Sequence, residues 1–180
     1  MIGEPRTIII AVVGSKKSGK TTAIEALTRV LTKRGYRVAA VKHVSEENFS
    51  IDTKGKDTWR FAQAGARKIV AVSSNEIATI ERGSTEGISL KRILQKCRGN
   101  HVVLLEGFRK SVTRNKGIFK IVTVKSAEEA LEARSSIVPI LAFVGPFSTK
   151  NLNFKAHYVD ALEDPEGLAD IVEDAIKKKC

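Results

Sequence analysis

Eight residues near the start of the chain have the types and spacing of a phosphate-binding loop. Residues 14–21, Gly-Ser-Lys-Lys-Ser-Gly-Lys-Thr, fit the pattern G-x-x-x-x-G-K-[ST]. The backbone N–H groups of such a loop point inward and bind anions, and its glycines let the backbone approach a phosphate closely. We expect Lys20 to contact the β- and γ-phosphates of a nucleotide and Thr21 to ligate Mg²⁺. The predicted nucleotide-binding residues are Gly14, Ser15, Lys16, Lys17, Ser18, Gly19, Lys20, Thr21 and Thr22.

The residues on either side of this loop predict the elements that must hold it. Residues 7–13, Thr-Ile-Ile-Ile-Ala-Val-Val, form an apolar β-branched run that is typical of a buried strand. After the loop, Ile24, Leu27, Val30 and Leu31 recur at the spacing of one helix face. A strand, a glycine-rich loop and a helix form the context in which the pattern indicates a site rather than a chance match.

A carboxylate ends a second apolar run. Residues 101–105, His-Val-Val-Leu-Leu, predict a strand that is buried on both faces, and Glu106 follows it directly. In open α/β sheets, ligands bind beyond the carboxyl ends of the strands. We therefore expect Glu106 to order Mg²⁺, directly or through water, opposite Thr21. An acid that simply faces solvent at a strand end is the alternative.

Two further residues could act beside this carboxylate. His43 follows a predicted strand over residues 37–42, so the same edge of the sheet is expected to carry it as a base or ligand contact. Asp57 lies on a short predicted helix over about residues 55–64 and is a candidate metal or water partner. The predicted catalytic residues are thus Lys20, Glu106 and His43, and the predicted metal ligands are Thr21, Glu106 and Asp57.

The rest of the chain alternates strand and helix patterns. This alternation predicts an α/β fold with a mostly parallel sheet flanked by helices and an added β-hairpin. We expect one nucleotide-binding domain over residues 1–180. The other expected strands are residues 68–73 and 76–81 (the hairpin), 118–124 and 138–144; the other expected helices are residues 88–97, 126–133 with a capping box at Ser126 and Glu129, and 165–178, and Asp52 or Thr53 is expected to cap the helix at 55–64.

The net charge of +11 is unevenly distributed. Between Gly107 and Lys125 the chain has six basic residues and no acidic one, which suits a polyanionic partner such as a nucleotide or a phosphorylated cofactor. A solvated basic loop is the alternative. The six residues are Arg109, Lys110, Arg114, Lys116, Lys120 and Lys125.

Composition also bears on the compartment. No apolar run reaches the roughly 18 residues of a membrane helix, and the first residues lack the pattern of a signal peptide. The two cysteines, Cys97 and Cys180, are too few for a disulfide scaffold or a zinc site. We expect reduced thiols in a cytoplasmic protein that does not associate with membranes.

Several short segments, in this order, resemble the molybdopterin-guanine dinucleotide biosynthesis protein B (MobB) family over roughly residues 7–125. The resemblance implies a P-loop NTPase-type fold that binds GTP with Mg²⁺ and hydrolyses it weakly at most. It further implies a homodimer that assists a guanylyltransferase in joining GMP to molybdopterin. The segments are the loop at 14–22, Val41-Lys42-His43, Asp52, Gly55-Lys56-Asp57-Thr58, Ala64-Gly65-Ala66, Leu104-Leu105-Glu106-Gly107-Phe108 and the basic residues up to Lys120.

The resemblance also implies roles for individual residues. Lys20 and Thr21 bind the triphosphate and Mg²⁺, and Glu106 takes the Walker B role. The chain has no Asn-Lys-x-Asp guanine-reading motif, because Asn115-Lys116 is followed by Gly117-Ile118, so a preference for GTP rests on the resemblance alone. The residues expected to contact molybdopterin or the partner enzyme are Lys42, His43, Lys56, Arg109, Lys110 and Lys120.

Two other functional classes stay open at this point. A small-molecule kinase would transfer the γ-phosphoryl group of ATP to an acceptor, with His43 or Asp57 as the base. A nucleic-acid-binding module would use the net positive charge. Such a module stacks bases on clustered aromatic side chains, but the aromatic residues of this chain are scattered along the sequence. We therefore expect at most weak, salt-sensitive binding of nucleic acid.

Overall fold

Strands and helices alternate along most of the chain, as the sequence pattern predicts. The structure is a computed structural model that describes residues 7–145, 148, 152 and 156–179. In chain order the elements are β1 (Ile8–Gly14), α1 (Lys20–Lys33), β2 (Val38–Lys42), α2 (Asp57–Gln63), β3 (Lys68–Val72), β4 (Ile77–Glu81), α3 (Leu90–Gln95), β5 (Val102–Glu106), α4 (Arg109–Val112), β6 (Phe119–Thr123), α5 (Ala127–Ser136), β7 (Ile140–Val144), β8 (His157–Val159) and α6 (Pro165–Lys179).

The chain divides into two compact units, residues 1–43 with 90–180 and residues 44–89. A six-stranded sheet with the order β2-β5-β1-β6-β7-β8 forms the centre of the larger unit, and every neighbouring pair in it is parallel. The predicted α/β fold with its parallel sheet is confirmed. The expectation of one nucleotide-binding domain over residues 1–180 stays a prediction.

Helices cover both faces of this sheet. Alternate residues of β1 contribute to two separate apolar clusters, because successive side chains of a strand point to opposite faces. Ile10 packs with residues of α1 and α6 on one face, and Val13 packs with residues of α3 and α5 on the other. Burial on both faces explains why β1 and β5 are continuous apolar runs.

The parallel register brings the predicted site residues to one edge of the sheet. Gly14, the last residue of β1, lies opposite Thr123 at the end of β6. On the other side of β1, the last residues of β2 and β5 are paired, Lys42 with Glu106. These carboxyl ends meet where open α/β sheets bind their ligands.

The smaller unit contains α2 and the predicted hairpin. Strands β3 and β4 pair in antiparallel register, with Ile69 opposite Ile80. Ile69 is buried, whereas the other face of the hairpin exposes large apolar side chains, which are Val70, Val72 and Ile77.

At four elements, α2, α4, β6 and β8, the structure departs from what the sequence pattern indicates. The predicted cap of α2 is wrong: Lys56 is the N-cap residue and makes no side-chain capping bond, because Asp52 lies too far before the helix and instead accepts a hydrogen bond from Thr58 Oγ1 at 2.8 Å. Helix α4 and strand β8 were not predicted, since elements of four and three residues show no readable period. Strand β6 shows an alternating pattern in the sequence, yet every residue after Phe119 is buried.

The compartment predictions are tested only in part. No helix among the described residues is long and apolar enough to cross a bilayer. Cys97 is a free, buried thiol, and burial raises its pKa. Cys180 lies outside the described residues.

Candidate nucleotide-binding site

The first turn of the loop has no room for a side chain at Gly14. A Cβ atom there would lie 2.1 Å from Thr123 Oγ1 and 2.5 Å from the Thr123 carbonyl oxygen. The Thr123 hydroxyl is itself part of the support of the loop, at 2.6 Å from Ser18 Oγ and 3.2 Å from the Val13 carbonyl. Ser18 Oγ in turn donates to the Ser15 carbonyl at 2.8 Å. Two buried hydroxyls therefore hold the loop in shape. The sequence did not indicate a role for Thr123, because 105 positions separate it from Ser18.

Lys20 folds back onto the loop. Its ammonium donates to the Ser15 carbonyl at 2.6 Å and lies 3.4 Å from the Gly14 carbonyl. Burial lowers the pKa of Lys20; the charge of Glu106 opposes this shift, and the nearby ammonium groups of Lys125 and Lys42 add to it. Several cations thus crowd one small region, which is the arrangement that a polyphosphate would neutralise.

Thr21 and Glu106 meet at the edge of the loop. Thr21 Oγ1 lies 3.2 Å from each carboxylate oxygen of Glu106 and donates to them. Lys42 Nζ lies 3.4 Å from Glu106 Oε1, and the Glu106 side chain is only 15% exposed. One hydroxyl and one carboxylate are the oxygen donors that Mg²⁺ commonly takes from a protein when phosphate and water complete its shell. No group of three His, Cys, Asp or Glu side chains clusters for a metal anywhere in the described part of the chain.

The loop and this carboxylate face an open cavity. Its volume is about 500 Å³, which suits a ligand of the size of a polyphosphate with its metal. Lys17, which lines this cavity, has a left-handed backbone at φ 59. Both Lys16 and Lys17 are exposed. The lining residues are Lys16, Lys17, Ser18, Gly19, Lys20, Thr21, Thr22 and Glu106.

His43 is placed beside the Glu106 strand end. Its backbone N–H donates to the Glu106 carbonyl at 2.9 Å, and its ring packs edge-on against Phe108 with centroids 5.3 Å apart. A Cβ atom at Gly107 would lie 3.0 Å from His43 Cβ, and the backbone there is left-handed at φ 87, so a larger residue would be strained at this close approach. Phe108 has a left-handed backbone at φ 56 and precedes α4. The Lys-His and Glu-Gly-Phe segments of the sequence are therefore in direct contact.

The basic residues between 107 and 125 do not form one surface. Arg109 and Lys110 begin α4, and Arg109 lies 3.8 Å from a Glu132 carboxylate oxygen. Lys120 is fully buried; its ammonium donates to the carbonyls of Asn115, at 2.7 Å, and Val138, and burial lowers its pKa. Both acceptors precede strands, so the Lys120 ammonium lies at the edge of the sheet opposite to the loop.

One lysine of the basic run, absent from the predicted site, does reach the loop. Lys125 follows β6, and its ammonium donates to the Lys16 carbonyl at 3.3 Å. The register of β6 beside β1 decides this position, and the spacing of residues in the sequence carries no sign of it.

Lys56 and Asp57 belong to the smaller unit. Lys56 is the N-cap residue of α2, and Asp57 is its first helical residue. The Asp57 carboxylate lies 3.6 Å from the Arg60 guanidinium, and its side chain is exposed. Within their own unit these residues form the exposed start of a short helix.

The sheet order, the glycine-rich loop between β1 and α1 and the carboxylate that ends β5 together define an α/β protein with a P-loop nucleotide-binding fold. A family model described as molybdopterin guanine dinucleotide synthesis protein B (MobB) matches residues 9–144. The chain therefore belongs to the MobB family, and the resemblance read from its motifs is confirmed.

Similar proteins agree with this assignment. A molybdopterin-guanine dinucleotide biosynthesis adapter protein of Haemophilus influenzae is 33% identical over 56% of this chain. A putative adapter protein of the same description from Methanocaldococcus jannaschii is 33% identical over 67% of this chain. The matches span 57% and 48% of these relatives, so the chain corresponds to about half the length of each.

Solved structures share the fold. A crystal structure of molybdopterin-guanine biosynthesis protein B superimposes with a TM-score of 0.72 at 28% identity and covers 94% of this chain and 99% of that one. Bacillus subtilis MobB superimposes with a TM-score of 0.68 at 22% identity, over 92% and 96% of the two chains, which shows a common fold.

Proposed function

We propose that this chain is a GTP-binding adapter of molybdenum cofactor biosynthesis. In this proposal it assists a guanylyltransferase in attaching GMP to molybdopterin and hydrolyses GTP slowly with Mg²⁺. The observation that carries the proposal is the contact of Thr21 Oγ1 with both Glu106 oxygens, each at 3.2 Å, directly beside Lys20 and the phosphate loop. The names of its relatives support the pathway. A cytoplasmic location is part of the proposal, and the free thiol of Cys97 supports it.

The residues of the loop would act mainly by binding and orienting the triphosphate. The backbone N–H groups and the positive end of α1 attract phosphate oxygens. Lys20 would exchange the carbonyls of Gly14 and Ser15 for phosphate oxygens, and Thr21 and Glu106 would hold Mg²⁺. When bound, Mg²⁺ neutralises the charge that develops on the phosphates. Glu106 can also orient the attacking water, which is the role that slow hydrolysis requires.

The residues proposed to contact molybdopterin lie at the same edge of the sheet as the phosphate loop. Lys42 ends β2 and His43 follows it, and Arg109 and Lys110 begin α4 directly after the Glu-Gly-Phe segment. Cationic and imidazole N–H groups suit the phosphate of molybdopterin or an acidic surface on the transferase. We leave Lys120 out of this set, because its ammonium already donates to two carbonyls inside the protein.

Glu106→Gln tests this function. We expect GTP hydrolysis to fall by roughly 10–100-fold and the Mg²⁺ concentration needed for half-maximal rate to rise, because the amide keeps the shape of Glu106 but loses its charge. Phosphate release is measured over a Mg²⁺ series, together with the yield of GMP attachment when a guanylyltransferase, GTP and molybdopterin are supplied. The wild type is expected to raise that yield, and the variant to raise it less.

Glu132→Gln is the matched control, since Glu132 is 73% exposed and pairs only loosely with Arg109 at 3.8 Å. An unchanged rate and Mg²⁺ dependence in Glu106→Gln would remove Glu106 from the mechanism. A wild type that leaves the transferase yield unchanged would overturn the adapter role. Phosphoryl transfer from ATP to a small acceptor would replace it by the kinase alternative.

A homodimer completes the proposal, and the hairpin is the surface that supports it. Val70, Val72 and Ile77 are 53%, 72% and 70% exposed on one face, and β3 and β4 form a sheet of only two strands. Exposed apolar side chains and open strand edges together favour pairing with a second copy.

Charged side chains on this face are expected to break the dimer. The pair Val72→Lys and Ile77→Lys places two like charges opposite each other, since Val72 faces Ile77 across the strands. Sedimentation analysis of the variant should give the monomer mass at concentrations where the wild type is dimeric. Leu131→Lys on α5, which is 51% exposed, is the control and should leave the mass unchanged. A dimer that survives both changes would exclude the hairpin as the interface.

A further inference from the structure

A second cavity adjoins the phosphate loop where β6, β7 and β8 end. Its volume is about 310 Å³, near the lower end of the roughly 300–1,000 Å³ found for ligand pockets. The loop and the start of α1 contribute Gly19 and Thr22 to its wall, Lys125 follows β6, and residues 160–162 follow β8. Gly19 and Thr22 also line the cavity in front of Glu106, so the two spaces share a wall. A ligand whose phosphates occupy the loop can therefore extend its other end here.

Asp160 is the acidic residue among the described residues that line this cavity, and its hydrogen bonds use only one of its two oxygens. Asp160 Oδ1 accepts hydrogen bonds from the backbone N–H groups of Leu162, at 2.9 Å, and Glu163, at 3.4 Å. These bonds fix the side chain to its own turn. Asp160 Oδ2 accepts no hydrogen bond from the residues that the structure describes. Asp160 is half-buried and lines the cavity, so its second oxygen is available there as an acceptor that no described residue uses.

The remaining wall is suited to a flat ring. Val144, Ala161 and Leu162 provide apolar surface around Asp160, and the Leu162 side chain is 73% exposed at the rim. An exposed leucine beside a concave apolar wall gains burial when a planar group fills the space. Lys17 and Lys125 also line the cavity, and the aliphatic stem of a lysine can cover the edge of an apolar ring.

An ionised carboxylate only accepts hydrogen bonds, so a nucleobase that pairs with Asp160 must present its N–H donors to it. Guanine presents two neighbouring donors on one edge, the ring N1–H and the exocyclic amine. Adenine presents one amine beside an acceptor nitrogen on the corresponding edge, and a carboxylate would repel that nitrogen. The chain lacks the Asn-Lys-x-Asp motif, whose aspartate would otherwise accept these two donors, and Asp160 offers a carboxylate in its place.

We propose that this cavity receives the nucleobase of the bound nucleotide and that Asp160 selects guanine through its free carboxylate oxygen. The inference rests on the proposed function, since it requires a nucleoside triphosphate on the loop. It adds the position of the base, the residue that reads it and the reason for a preference for GTP.

Asp160→Asn is the variant that tests it, because asparagine keeps an oxygen for the turn at Leu162 and Glu163 and replaces the free oxygen by an amide N–H₂. We expect GTP affinity to fall about tenfold or more. Xanthosine triphosphate carries a carbonyl where guanine carries its amine, so its affinity should rise by a similar factor. Calorimetric titration with Mg²⁺ measures both nucleotides. Glu163→Gln is the control, since Glu163 is the adjacent acid and does not line the cavity.

Titration of the wild type keeps the test independent of the folding of any variant. Inosine triphosphate lacks only the exocyclic amine, so we expect it to bind roughly tenfold more weakly than GTP, and ATP more weakly still. Equal affinity for GTP, inosine triphosphate and ATP would overturn the inference and leave nucleotide binding by the loop in place. An Asp160→Asn variant that keeps the wild-type preference for GTP would also overturn the inference and leave nucleotide binding by the loop in place. A wild type that binds no nucleoside triphosphate would overturn the proposed function as well.

Discussion

Lys20→Ala is expected to lower the affinity for GTP with Mg²⁺ by roughly 100-fold or more. The ammonium of Lys20 is the charge closest to the loop carbonyls, at 2.6 Å from the Ser15 oxygen, and it can turn to the β- and γ-phosphates. Its charge-assisted hydrogen bonds are lost in the variant, and the positive potential of the site falls with them. Folding should change little, because Lys20 lines an open cavity where water can reach the carbonyls it leaves. Calorimetric titration of GTP and of ATP measures the effect.

The control for this experiment is Lys33→Ala, which removes an exposed lysine from the last turn of the same helix. It lowers the net charge of the protein equally but leaves the loop intact, so GTP affinity should stay within a factor of about two. Retained affinity in Lys20→Ala would show that the loop is not the phosphate site. A wild type that prefers ATP would favour the kinase alternative over the adapter.

Gly14→Ala is expected to lower the free energy of unfolding by about 3 kcal/mol. The added Cβ would meet two atoms of Thr123, its hydroxyl at 2.1 Å and its carbonyl at 2.5 Å. Neither can withdraw freely, since the carbonyl belongs to the backbone of β6 and the hydroxyl lies 2.6 Å from Ser18 Oγ. The loop must therefore shift away from β6, and nucleotide affinity should fall in the same variant. Urea unfolding and GTP titration together record both effects.

Gly117→Ala provides the comparison. Its added Cβ would come no closer than 3.3 Å to Asn115 Oδ1, and its backbone is not left-handed. We expect a change of less than about 1 kcal/mol and an unaltered GTP affinity. If the two glycine variants lose the same amount of stability, the close packing of Gly14 against Thr123 is not what holds the loop.

The support of the loop shows where interpretation of the sequence reaches its limit. Residues 14–21 carry their own signal, since glycine, lysine and threonine at fixed spacing follow from the needs of phosphate binding. Thr123 carries no such signal, although its hydroxyl contacts Ser18 and its position excludes a side chain at Gly14. Only the pairing of β6 with β1 brings these residues together.

The basic residues between 107 and 125 illustrate the same limit. Net charge and composition predict that these residues act together as one segment that binds a polyanion. The strand that passes through the run separates them, so that Lys120 is buried at one edge of the sheet and Lys125 reaches the phosphate loop at the other. A strand of five residues spans about 17 Å, which is more than the reach of a lysine side chain.

Local patterns determined much of this protein by themselves. The apolar run of β1, the glycine-rich loop and the helical spacing of α1 predicted the strand, loop and helix, and the run before Glu106 placed a carboxylate at the same edge. Each of these features depends on neighbours in the chain or on the common direction of parallel strands. The sequence alone is therefore enough to predict them.

The tertiary structure decided what depends on contacts between distant residues. Asp160 follows β8, and it lines the same cavity as Gly19 and Thr22 of the loop and α1. The packing of the sheet against α1 brings these residues together. Arg34 forms ion pairs with Glu166, Asp170 and Glu173, more than 130 positions away, and so joins α1 to α6. No spacing rule connects such pairs, because the packing of the whole sheet and its helices sets the distance between them.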